Sequence, residues 1–205
     1  MKTKQSGACV IVAMGCILAW NVAQADLTGQ VYEVSMSGSI VSEESIGPEQ
    51  EVVAKGKFAA SHLINLARGR SADAVVPANE KLGLLFLFND GDHIGGALVV
   101  YDTTGHTVLV DIAEMIVRGA FDSAKGKGTL ALAGAVQHAG YFTQGWLAAT
   151  GKASVNNANP VTPLTTFNGA LQGVFAGNDG EDFEVIITKG KAVMGSYLGP
   201  AVFPN

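Results

Sequence analysis

The sequence predicts a mainly β protein: a single antiparallel β-barrel or β-sandwich with one short helix, at about residues 62–68, after an N-terminal signal peptide. Three observations carry that reading. The first residues have the order of an export signal. The 205-residue chain holds 26 glycines and only 15% charged residues, the texture of a β protein with many tight turns rather than of a helical bundle. Short stretches of apolar alternation recur between Gly-, Asn- and Asp-containing breaks, the pattern of strands joined by turns.

In the N-terminal segment, Met1-Lys2-Thr3-Lys4 is positive, Ala8 to Trp20 is almost wholly apolar, and Ala23-Gln24-Ala25 puts small residues where a signal peptidase reads. Cleavage after Ala25 makes Asp26 the mature start. The apolar run is shorter than the roughly 20 residues of a spanning helix. A lipoprotein signal at Cys16 fits less well, because Ile17-Leu18-Ala19-Trp20 continues the apolar run past the cysteine. The chain therefore reads as residues 1–25, a cleavable signal, and residues 26–205, one β-rich domain that is periplasmic or secreted.

Cleavage removes Lys2 and Lys4 and no acid, so 13 basic and 18 acidic residues become 11 and 18, a net charge near −7. An acidic balance argues against nucleic acid, which needs clustered Lys and Arg, and against docking on anionic lipid. Cys9 and Cys16 both lie in the signal. The mature chain thus has no disulfide and no thiolate chemistry. Its fold must rest on its own core, which a domain of this size can build.

Along the mature chain, Asp26–Val41 reads as a first strand, Ser42–Gln50 as an acidic loop and Glu51–Ala59 as a second strand. Apolar residues at 63, 64, 66 and 67 have helical spacing, opened by Ser61 and closed by Arg68 and Gly69. Leu82–Phe88 is apolar at both parities and should be buried on both faces. Asn89-Asp90-Gly91-Asp92 supplies a hairpin turn. Strands follow at Ile94–Asp102, His106–Ala113, Met115–Phe121, Thr129–His138, Tyr141–Val155, Phe167–Ala176 and Phe183–Thr188. Gly-x-x-x-Gly spacing in the later strands suggests barrel corners, which favours a barrel over a sandwich. A membrane-spanning barrel needs an outward apolar band, and the most apolar strand shows no such alternation.

No motif for a nucleophile, a dinucleotide or a nucleotide phosphate is present. The four histidines, His62, His93, His106 and His138, have no zinc spacing, so no metal and no cofactor is expected. The acidic turns at 89–92 and 178–182 do not match a calcium loop. No catalytic residue is assigned, and whether the chain is an enzyme stays open, leaning against.

Strand parity supplies the candidate site. With Leu130, Leu132 and Val136 inward, His138 follows. On the next strand Phe142, Gln144 and Trp146 share a parity, and after it Phe167, Leu171 and Phe175. His138, Phe142, Gln144, Trp146 and Phe175 are the expected lining of an apolar pocket. A one-residue slip would invert the middle strand, since Leu147 has the opposite parity. The favoured reading is a non-enzymatic binding module for a small apolar ligand or a protein partner. One alternative is a barrel isomerase or cyclase using acid–base catalysis with His138 inside. The other is a structural or surface-assembly protein. Barrel ligand binders and barrel cyclases share the architecture only, which does not carry function.

The export reading makes a direct prediction. Intact-mass analysis of protein recovered from outside the cytoplasm should give a chain starting at Asp26, and bulky replacements at Ala23 and Ala25 should leave the precursor uncut.

Overall fold

A computed structural model describes residues 27–46, 49–90, 93–122, 125–156 and 164–202. The export segment and parts of the expected turns and loops, at 47–48, 91–92, 123–124 and 157–163, lie outside the described residues. The elements are β1 (Gln30–Ile46), β2 (Glu49–Ala59), α1 (Ala60–Ala67), β3 (Glu80–Asp90), β4 (His93–Asp102), β5 (Thr107–Asp122), β6 (Lys127–Val136), β7 (Phe142–Val155), β8 (Leu164–Asn178) and β9 (Asp182–Pro200).

From β3 to β9 each strand pairs antiparallel with the next. β1 closes the ring. One of its edges pairs with β9 from Gln30 to Ser42. Its other edge is shared, with Gln30–Glu33 on β3 and Ser37–Ile46 on β2. The result is a closed barrel of eight strands, with β2 as an extra strand on β1. Of the two architectures expected, the barrel is the one formed.

Alternation sorts the side chains. Tyr32, Val34 and Met36 of β1 point inward, as do Leu82 and Leu84 of β3 and Phe167, Leu171 and Phe175 of β8. Leu82–Phe88 was expected to be buried on both faces. Leu82 and Leu84 join the interior, while Leu85 joins Val31, Ala97, Val99 and Tyr101 in a second cluster, against which Leu198 and Ala201 pack. The end of the chain supplies that outer cover. Tyr101 Oη donates to the Pro200 carbonyl at 3.1 Å and the Val202 amide to the His106 carbonyl at 3.2 Å.

The helix buries Leu63, Ile64, Leu66 and Ala67 in the same core as the barrel. Its start differs from expectation. Ala59 is the N-cap instead of Ser61, and its amide donates to His62 Nδ1 at 3.3 Å. Its end is as expected, with Gly69 left-handed at φ 65°. The Tyr141 amide donates to the Leu66 carbonyl at 2.8 Å, tying the last turn of α1 to the β6–β7 connection.

Three strand boundaries are corrected. Residues 42–46 and 49–50, expected as loop, extend β1 and β2 into a long hairpin. The two segments on either side of Glu114 form one strand, β5. Register shifts within its ladder leave Leu109 and Ile112 unpaired, so the inward parity switches from Val110 and Ile112 to Ala113, Met115 and Val117. β9 does not stop at Thr188 but runs to Pro200. Its lysines at 189 and 191 hide the strand in a hydropathy reading, yet they face water while Ala192 is buried.

Close strand packing imposes a glycine at 151. A Cβ there would collide with the Asn168 carbonyl oxygen and with Gly169 of β8. Gly56 differs, since a Cβ would meet only Ile40 side-chain carbons at 3.5–3.6 Å. Gly151→Ala should therefore lose about 1–3 kcal/mol or more in urea unfolding, with Gly56→Ala close to wild type.

Candidate functional site

The five expected pocket residues divide between inside and outside. Phe142 and Phe175 are fully buried and meet edge to face, with ring centroids 5.3 Å apart. Phe58 adds a third ring, 6.1 Å from Phe175. These rings share one core cluster with the buried residues of α1. Gln144 and His138 are exposed, and Trp146 retains 45% of its surface.

The parity argument for β7 is thus corrected, and a bulge is the reason. Phe142 pairs with Gly177 and Gln144 with Ala176, leaving Thr143 without an opposite residue. The extra residue reverses the alternation, so Phe142 is inward at an even position but Leu147 and Ala149 are inward at odd ones. Gly145, at φ 152°, follows directly. His138 lies beyond the end of β6 in the connection to β7, outside the interior. An acid–base mechanism built on an enclosed His138 has no support in that placement.

Other polar groups in the interior and at its margins are tied to one another. Tyr32 Oη donates to Gln30 Oε1, and burial pushes the Tyr32 hydroxyl up to about 12. Asn65, fully buried on α1, donates from Nδ2 to the carbonyls of Ala72 and Ala74 at 2.8 and 2.6 Å, latching the loop after the helix. Arg70 binds both oxygens of Glu80 at 2.7 and 2.8 Å, and Arg68 Nε stands 3.8 Å away. The Arg70 contact holds the Glu80 carboxyl below the usual carboxylate range. Asn65 and the Arg70–Glu80 pair tie the loop after α1 to its surroundings, while the buried Asn65 Oδ1 has no hydrogen-bond partner.

A further feature is external. β1, β2 and β9 form a groove of about 540 Å³ lined by Ser39, Ile40, Val41, Lys55, Gly56, Lys57, Thr188 and Lys189. Ser39 is opposite Lys57 on one side and Lys189 on the other. Cross-strand partners share a face, so both ammonium groups project on the side of Ser39, about 10 Å apart at the backbone. Lys191 is opposite Ser37, two residues along β1. Thr188 is the bulged residue, and its hydroxyl donates to the Ser39 carbonyl at 3.3 Å. All four lysines are exposed, and among the described residues none forms an ion pair. Sequence reading missed this cluster because its members lie some 130 residues apart and meet only when β9 returns to β1.

Among the described residues no three His, Cys, Asp or Glu side chains are placed to hold a metal ion, and no helix is long and apolar enough to cross a membrane.

The Glu80–Arg70 pair has a pH signature. A carboxyl whose folded pKa is depressed adds stability above its unfolded pKa, and that stability is lost as pH falls through the folded value. Glu80→Gln should cost about 1–3 kcal/mol at neutral pH. Its unfolding free energy should also fall less steeply than wild type on acidification below about pH 4.3.

Compared with protein-family models and with curated proteins, the chain finds no match.

Proposed function

We propose that the mature protein is a non-enzymatic binding module acting outside the cytoplasm, and that it takes an acidic, extended segment of a protein partner on its outer surface. The groove between β1, β2 and β9 carries this reading. Among the described residues, β2 pairs along one edge only. Its exposed residues Lys55 and Lys57 sit two apart on that strand. A strand's free edge offers a row of backbone donors and acceptors, and an added strand takes its specificity from alternate side chains. Carboxylates at alternate positions of such a segment repeat at about 6.8 Å, the spacing of Lys55 and Lys57 along β2. Edge lysines discourage pairing with a basic strand and suit an acidic one. Lys189 extends the positive field across β1.

The interior favours this over the small apolar ligand. Phe58, Phe142 and Phe175 pack ring against ring there, and the expected polar lining residues His138 and Gln144 lie outside it. The same inside-out arrangement speaks against a membrane-spanning barrel. Its interior is apolar, and lysines stand exposed within the outer faces of β2, β7 and β9, whereas a spanning barrel carries its apolar band outside.

The test is fluorescence anisotropy with a labelled, extended glutamate-rich peptide and its glutamine counterpart. The mature protein should prefer the acidic peptide, with affinity falling as salt rises. The triple variant Lys55→Glu, Lys57→Glu, Lys189→Glu should lose about tenfold or more in affinity, while Phe142→Leu should leave it unchanged. Equal binding by the triple variant, or indifference to peptide charge, overturns the proposal.

A further inference from the structure

On the far side of the ring from β1 the barrel carries a weakly polar, convex outer face across β5 to β8, with β6 and β7 at its crest. Its grid follows from the register. Glu114, Ile116 and Arg118 are the successive outward residues of β5. Opposite them on β6 stand Ala135, Ala133 and Ala131, all exposed. On β7, Trp146 lies beside Ala135. Ile116 is 61% exposed and Trp146 45%. Two apolar side chains that open to water, set among alanines, mark an association surface.

We propose that this face pairs with the same face of a second copy, about a two-fold axis that lies between the two sheets and crosses the strands at the level of Ile116. The axis is selected by complementarity. It lays β5 over β5 of the second copy with opposite direction, so Glu114 stands over Arg118 of the second copy, Ile116 over Ile116, and Arg118 over Glu114. Shape agrees with charge. The row holding Trp146 comes to lie over the row of Ala131 and Thr150 of the second copy, bulky over small. A two-fold axis along the strands would set Trp146 near Glu114 and bring no opposite charges together. Among the described residues, neither Glu114 nor Arg118 forms an ion pair within the chain. Glu114 accepts only a 3.3 Å hydrogen bond from exposed Gln137.

The area sets the strength. β5 to β8 make up half of the eight-stranded ring, so the convex wall brings two to three strands, about 4.8 Å apart and each with three outward positions about 6.8 Å apart, against the second copy, roughly 200–300 Å² per copy. A standard interface buries about 800 Å² per partner, so the dimer is a reversible, concentration-dependent one.

Sedimentation of the mature protein from about 1 µM to 1 mM tests this, with folding of each variant checked by circular dichroism. The protein should pass from monomer to dimer. Of the two tryptophans, Trp20 lies in the signal, so the emission of mature protein reports Trp146 and should shift to the blue as dimer forms. Glu114→Arg and Arg118→Glu should each weaken association about tenfold or more by opposing like charges. The double reversal Glu114→Arg with Arg118→Glu should restore it, and an equimolar mixture of the two single variants should form a heterodimer. Wild type that stays monomeric, folded single variants that dimerise like wild type, or a folded double variant that stays monomeric overturns the proposal.

Discussion

The pairing of β1 with β9 is the constraint on which the rest of the molecule depends. A sheet that ends leaves two edges exposed, whereas a ring leaves none within its walls. The seam is long, from Gln30 to Ser42 on β1, and its inner side is aromatic. Tyr32 and Tyr197 stack at a tilt with centroids 5.4 Å apart. Burying a hydroxyl at such a seam is costly unless it is bonded, and the Tyr32 bond to Gln30 meets that need. Closure also decides where the sheet cannot be completed. One edge of β1 must serve both β3 and β2, so among the described residues β2 keeps a free edge on its side away from β1. Lys55 and Lys57 stand on that edge strand, and Lys189 and Lys191 on the other side of β1.

What could be read from the sequence, and what could not, follows from the range of each interaction. Leu82, Leu84 and Leu85 announced burial on two faces because apolar residues at both parities of a strand leave neither side polar, while the side chains of 86–88 lie outside the described residues. Phe167, Leu171 and Phe175 announced one inward face because β8 keeps its inward parity from Phe167 through Gly177. Gly69 announced the helix end through local backbone freedom. β7 misled because Thr143, a residue with no distinctive chemistry, is bulged by its pairing with β8, and parity beyond it reversed. Two of the five candidate residues followed that reversal: Gln144 and Trp146 faced out while Phe142 and Phe175 stayed together inside. β9 was read short because Lys189 and Lys191 break a hydropathy pattern without breaking a strand.

Net charge was a poorer guide than charge placement. The chain is acidic as a whole, with 13 basic and 18 acidic residues, which spoke against nucleic acid and anionic lipid. However, Lys55 and Lys57 come from one end of the chain and Lys189 and Lys191 from the other. Only the β1–β9 seam makes them one surface. A potential at a groove depends on the charges within about one Debye length, roughly 8–10 Å in ordinary salt.

The two surfaces stand on opposite walls of the ring. β1, β2 and β9 carry the groove, and β6, four strands away by either path round the eight-stranded barrel, is central to the alanine face. That separation matters when they are combined. Two copies joined through β5–β8 would direct their grooves away from one another, so one short acidic segment could not bridge both. Avidity in such a dimer requires a partner with two acidic segments spaced by a flexible stretch longer than the pair of barrels, or a partner that is itself repeated, because effective concentration vanishes when a linker cannot span the sites. A closed barrel suits that geometry, because ring closure through β1 and β9 keeps the proposed edge and the proposed face on opposite walls.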